Sequence, residues 1–453
     1  MMPDTPCTGK PGLNPRDTGR RLWALTLLAL PGWLVVPARA ADLDAEPINY
    51  SKGPADNPVS RLQRQIDTGR SPLVHEAKVG YLRSLLRALD MPASSQMLVF
   101  SKTSFQRHRI GPDTPRALYF NDETYVGFCQ GGDVLEVSAA DPHLGAVFYT
   151  LDQSPAARPR FARQNDACLI CHGSSQNQGF PGLLVRSVYP DGDGLPILSA
   201  GSFRTDHTSP LKERWGGWYV TGTSGKQKHL GNLVVRDRRE PEQIDNTAGT
   251  NVTDLAGRLD TSPYLTAHSD LVALMVLEHQ AEGHNLLTRA NLQTRLALRD
   301  EAALNKELNQ PAGYRWESTT SRIRAAAEPL VKYLLFSGEA ELTDPVHGTS
   351  GFAAEFARRG PRDARGRSLR DFDLRRRLFK YPCSYLIYST AFDALPGAVK
   401  DYVLQRLADV LSGKDTSTDF AHLTAADRRA VLEILLATKP GLPASWRSLP
   451  RQG

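Results

Sequence analysis

The sequence predicts an α+β protein, and three observations carry that reading. Between Met97 and Leu151, short runs rich in Val, Phe and Tyr are separated by Gly, Asp, Asn or Pro, the pattern of successive antiparallel strands. From residue 271 onward the apolar spacing changes to the threes and fours of helices. Between these stretches stands Cys168-Leu-Ile-Cys-His172, a run whose spacing is set by chemistry rather than by a fold.

In chain order, Arg20 and Arg21 precede the fifteen-residue apolar run Leu22 to Val36, and Ala38-Arg39-Ala40 offers a small-x-small cleavage site before Ala41. The run is short for a bilayer span, which needs ~20 residues, and Pro31-Gly32 interrupts it. Residues 1–40 therefore read as a signal peptide, the product as periplasmic, and no stable membrane span is expected after cleavage. Polar, turn-rich residues 41–70 read as an extended lead segment. In Glu76 to Asp90 the spacing of Val79, Leu82, Leu86 and Leu89 predicts an amphipathic helix.

Strands are expected at 97–101, 117–120, 124–129, 133–139 and 145–151, and again, after the cysteine run, at 182–190, 196–203, 216–222 and 229–235. Asp191-Gly-Asp-Gly194 is a hairpin turn signal. Residues 71–240 thus form a β-rich domain, 241–262 a charged, breaker-rich linker, and 263–453 a helical region. Ser269 or Asp270 caps a helix reaching about residue 308 with Gly283 as its weak point. Val399, Val403, Leu407 and Val410 line one face of another helix, and Thr424 with Asp427 forms a capping box for a last helix ending near Thr438.

The five-residue run decides the chemistry. With 5 Cys and 11 His in 453 residues, random order would give Cys-x-x-Cys-His in about one such chain in a thousand. Two thiols three positions apart can add to the two vinyl groups of one haem, and the adjacent imidazole can ligate the iron. Cys168 and Cys171 are therefore expected to anchor one haem c, with His172 as the proximal ligand. A zinc site would need a second ligand pair, and His279 and His284 face different sides of a helix. A thioredoxin-like redox pair lacks its strand-to-helix setting. Cys129 and Cys383 remain as a disulfide or as two buried thiols.

The iron's other face has candidates of unequal weight. Met275 and His279 are four apart on one helix face, and His279 is the first expectation for the distal ligand. His207 competes with it, and Arg204 three residues earlier would suit a propionate or a bound oxygen ligand. His229, His268 and His284 are weaker.

Cys168 to His172 behind an export signal resembles a c-type cytochrome, and LVALMVLEHQ (271–280) and LFKYPCSYLIYS (378–389) resemble large exported single-haem bacterial proteins. The resemblance implies covalent haem c and electron transfer. It departs from small class I cytochromes, which place the motif early in an all-helical domain, and the strand order is similar to PAS or Cache sensor modules. A haem-based periplasmic sensor and a peroxidase-like enzyme using Arg204 and His207 are the competing functions.

Charge narrows the partners. Residues 1–40 carry five Lys/Arg and two Asp/Glu, so their removal lowers the formal charge from +6 to +3, and no basic stripe points to nucleic acid. Nine arginines at 358, 359, 362, 365, 367, 370, 375, 376 and 377 stand against Asp363, Asp371 and Asp373. They read first as a solvated face and second as a patch for a redox partner protein or for haem propionates.

Overall fold

The computed structural model describes residues 43–237, 240–311 and 313–450, without the side chain of residue 242. Residues 1–40, read from the sequence as a signal peptide, the expected start at Ala41 and Cys7 lie outside the described residues. The lead segment is not extended throughout. Asn57 accepts the amide protons of Val59 and Ser60, the Ser60 hydroxyl accepts from the Asn57 backbone, and Pro58 opens α1 (Pro58–Asp67). Proline at the first helical position costs no hydrogen bond and its fixed φ suits the helix, so this cap prevails over the polar composition. Val59, Leu62 and Ile66 form its buried stripe. The helix expected over 76–90 is shortened to α2 (Leu82–Ala88), because Glu76 and Gly80 exchange backbone hydrogen bonds in a turn.

The predicted strands before the cysteine run all form: β1 (Met97–Val99), β2 (Arg116–Phe120), β3 (Thr124–Phe128), β4 (Val134–Asp141) and β5 (Gly145–Asp152). A sixth, β6 (Phe161–Arg163), continues the antiparallel meander; then comes the single turn α3 (Leu169–His172). Beyond it the strands are short: β7 (Arg186–Val188), β8 (Ser202–Arg204), β9 (Trp218–Tyr219) and β10 (Gly222–Thr223). β7 and β8 pair as the hairpin signal implied, and the Asp191 carboxylate accepts the amide protons of Asp193 and Leu195 in its turn. Residues 229–235 form no strand. Asn232 takes a left-handed φ of 64°, and Leu230, Leu233 and Val235 instead bury against Tyr189 and Ile197. β9 lies beside β1, giving a seven-stranded antiparallel sheet in the order β6-β5-β4-β3-β2-β1-β9.

The helical half follows. Asp270 caps α4 (Leu271–Glu307) by accepting from Val272 and Ala273, and the helix passes Gly283 unbroken. A Cβ at Gly283 would lie 2.2 Å from Leu386 Cδ1, so the glycine serves close approach rather than a break. α5 (Glu317–Leu334), β11 (His347–Gly348, paired with β10), α6 (Phe352–Arg358) and α7 (Thr390–Asp393) have no counterpart in the sequence reading. α8 (Gly397–Leu411) buries Val399, Val403, Leu407 and Val410 as their spacing predicts, and the Thr424–Asp427 capping box opens α9 (Ala425–Thr438). The architecture is α+β with a mainly helical C-terminal region. No helix among the described residues is long and apolar enough to cross a membrane.

Directly opposed residues of an antiparallel pair point to the same side, which gives the sheet two unlike faces. Tyr119, Val126, Val137, Tyr149 and Leu151 turn toward α1, α2, Ile48 and Tyr50 and share one buried cluster with them. On the other face Met97, Val99, Phe120 and Tyr125 join the core of α4, α5, α8 and α9. In the middle of that second face Leu118, Glu136, Ser138 and Thr150 remain only half-buried. Leu255 and Tyr264, within and just after residues 241–262, are buried in the cluster of the first face.

Candidate functional site

The cysteine run sits against the second face. In α3 the His172 amide donates to the Cys168 carbonyl at 2.9 Å, so the two cysteines stand one helical turn apart on one side. Cys168 is half-buried, while Cys171 and Ile170 are exposed, Ile170 at 77%. Burial pushes the Cys168 thiol up to about 11, the reverse of the lowered pKa that a redox-active thiol pair uses.

His172 is held by chain on either side. The Gly182 amide donates to the His172 carbonyl at 3.0 Å, the Asn177 side chain donates to the same carbonyl at 2.9 Å, and His172 Nδ1 meets the Gly182 carbonyl at 2.8 Å. A carbonyl only accepts, so Nδ1 carries the proton and Nε2 keeps its lone pair. Burial holds the imidazole below its ordinary pKa and therefore neutral. The Phe148 ring lies 4.6 Å away at 42°. Asn285 of α4 fixes the clamp in turn, accepting from the Leu183 amide at 2.7 Å and donating to its carbonyl at 2.9 Å. A Cβ at Gly182 would come within 2.5 Å of Asn285 Oδ1, so only glycine permits this approach. Gly182 and Asn285 escaped the sequence reading, because nothing local ties residue 172 to residue 285.

These residues meet the needs of covalent haem: two thiols on one side of a turn, and next to them an imidazole with one nitrogen tied back and the other free. Among the described residues no three His, Cys, Asp or Glu side chains gather as a metal cage.

The expected distal candidates occupy a different environment. His207 Nδ1 and His279 Nδ1 are 2.8 Å apart, and His279 Nε2 meets the Ser384 hydroxyl at 2.8 Å. Both nitrogens of His279 are thus engaged by protein groups. The Tyr333 ring stacks on His207 at 4.0 Å and on His279 at 5.2 Å, with Phe336 beside both. Beside them Arg214 pairs with the fully buried Glu278 at 3.3 Å and donates to the His207 carbonyl at 3.0 Å. Burial lowers both histidines well below their ordinary pKa and pushes Glu278 up to about 7. Met275 is buried in the same core.

Arg204 bridges the Gln176 carbonyl and Glu282, and His284 Nδ1 meets the Tyr125 hydroxyl at 3.0 Å. The His229 ring lies 5.1 Å from that of Trp215, and His268 is half-buried before the Asp270 cap. Among the described residues no hydrogen bond or ring contact joins His172 to His207, Met275 or His279. Cys129 and Cys383 are both buried and free.

Most of the arginine-rich segment is paired internally. Arg359 meets Asp90 and Glu355, Arg362 meets Asp371, Arg365 and Arg367 share Glu433, Arg370 meets Asp122, and Arg377 meets Asp427. Arg358, Arg375 and Arg376 are exposed. No protein-family model, curated protein or solved structure matches this chain.

Proposed function

We propose that the protein is an exported, periplasmic cytochrome-like protein that carries one covalent haem c and transfers electrons to or from a partner protein. One observation carries this reading: within Cys-x-x-Cys-His, the Nδ1 bond of His172 to Gly182 leaves Nε2 as a free, neutral ligand nitrogen. Cys168 and Cys171 hold the haem by thioether bonds, and the haem supplies one-electron redox chemistry. Gly182 and Asn285 keep the imidazole oriented, and Phe148 walls one side of it. His279 has no role at the iron in this reading, since Ser384 and His207 engage both of its nitrogens. Arg204 and His207, the pair that a peroxidase-like reading would use, are bound to Glu282 and His279.

The test is extraction. Protein purified from a host that matures haem c, treated with acid-acetone, should keep its haem and give a c-type pyridine haemochrome spectrum; haem leaving with the solvent would sink the thioether assignment. N-terminal sequencing should begin near Ala41, and a start at Met1 with retention in membranes would contradict export.

A further inference from the structure

We infer that Arg204 and Glu282 position His172 by closing a ring of hydrogen bonds that passes through its imidazole. As a role toward iron this rests on the haem c reading above; as a clamp on the imidazole it stands without it. The ring starts at His172, whose Nδ1 donates to the Gly182 carbonyl at 2.8 Å. One residue on, the Leu183 amide and carbonyl both pair with the Asn285 side chain. Asn285 Nδ2 also donates to Glu282 Oε2 at 2.9 Å, the two residues lying three positions apart on one face of α4. Glu282 accepts from Arg204, and the other Nη of Arg204 donates to the Gln176 carbonyl. Next to Gln176, Asn177 donates to the His172 carbonyl at 2.9 Å, which brings the path back to its start.

Each step constrains the next. Turned over, the Asn285 amide would face Leu183 donor to donor and acceptor to acceptor. The Glu282 carboxylate only accepts, so it admits the NH2 end alone and fixes Asn285 in the sense Leu183 needs. Arg204 holds Glu282 and reaches the turn after the cysteine run with the same planar fork, which the single ammonium of a lysine does not reproduce. Arg204 is itself anchored: it stands opposite Arg186 in the β7–β8 pair, and the Thr205 amide donates to the Val185 carbonyl. With Arg204 30% and Glu282 16% exposed, the ring lies beneath the surface rather than on it. Its two arms converge at Gly182. A Cβ there would lie 2.5 Å from Asn285 Oδ1 and 2.9 Å from Asn177 Nδ2, so a side chain would push both arms apart.

A histidine that gives its second N–H to a carbonyl is a more basic ligand and favours ferric iron, which lowers the reduction potential. The experiment is an anaerobic potentiometric titration of the full, haem-loaded protein. Arg204→Lys keeps the charge and loses the fork, Arg204→Gln loses both, and Asn285→Leu changes no charge. All three should raise the midpoint potential, because each loosens the bond between His172 and Gly182. An effect of charge alone would leave Arg204→Lys at the wild-type value and lower Arg204→Gln, and loosening that wets the haem would lower all three. Either pattern, or three unchanged potentials, overturns the positioning role. Glu328→Gln, in the Arg406–Glu328 pair between α8 and α5, is the control and should match the wild type. Imidazole-nitrogen NMR spectra of the full chain carrying Cys168→Ala and Cys171→Ala read the same clamp without haem. The His172 proton should rest on Nδ1, and adding Glu282→Leu or Asn285→Leu should mix the two tautomers. An unchanged tautomer in those variants overturns the clamp, whereas absence of covalent haem from the wild type removes only the cofactor reading.

Discussion

His172 and His279 are both neutral imidazoles with pKa values lowered by burial, and they differ in what each has left over. His172 ends the single turn α3 against the second sheet face, with one nitrogen tied to Gly182 and the other without a protein partner among the described residues. His279 lies inside the helical core with both nitrogens engaged. A nitrogen left unpaired can bind something from outside the chain, whereas a satisfied one holds the chain to itself. Helical facing alone, which favoured His279 as a distal ligand, sees the side of a helix but not the partners waiting there.

The largest effect that tests this contrast is loss of the proposed cofactor. Replacing both Cys168 and Cys171 by Ala should abolish covalent haem, and His172→Ala should change the ferric absorption spectrum while thioether-bound haem remains. His279→Ala should leave that spectrum as in the wild type. A high-spin iron in His279→Ala would break the comparison.

The same His279→Ala should instead cost about 3–4 kcal/mol of stability in urea unfolding, because it leaves His207 and Ser384 buried without their partner and opens a cavity. Stability unchanged within about 0.5 kcal/mol would show that the pair is not structural.

Acid titration comes next. His229 and His284 are buried with pKa values lowered to about 4, so each takes up a proton on unfolding. Their contribution is complete above about pH 6.5 and is lost as pH falls toward 4, amounting to about 3 kcal/mol for each. Glu278, raised to about 7, works in the opposite sense: its contribution is complete below about pH 4.5 and is lost as pH rises through 7. His284→Gln should therefore flatten the fall in stability between pH 6.5 and 4, measured by urea unfolding across that window, and an unchanged slope would count against its buried neutral state.

Smaller still, Gly283→Ala should cost about 1–3 kcal/mol by forcing α4 away from Leu386, read as a lower Tm with the haem spectrum unchanged. Gln at Arg358, Arg375 and Arg376 together should stay within about 0.5 kcal/mol of wild type, since these side chains are exposed. Any effect of that triple variant on the proposed electron transfer should weaken as salt is raised.

The strands from β1 to β5 were legible because alternation and turn residues are local signals, and α4 because Asp270 stands directly before its apolar run. Residues 229–235 misled because an apolar run says that side chains are buried, not that the backbone is extended. α1 was hidden in polar composition although Asn57-Pro58 is a start signal. At the site, the cysteine spacing was legible, while the clamp on His172 was not. It joins residues 172, 182 and 285, and such pairings are fixed only when distant segments meet.

The uniform burial of α4 makes the molecule hard to divide. From Leu271 to Ala281 every residue of this helix is buried, on all sides of the turn, against the sheet and the later helices together. A fragment ending at residue 262 would leave Met97, Val99, Phe120 and Tyr125 facing water, and the complementary fragment would expose the helix that covered them. Neither piece would then keep its apolar face covered, so the sheet cannot be detached from the helices by proteolysis and kept, and the two halves must be made and degraded as one object.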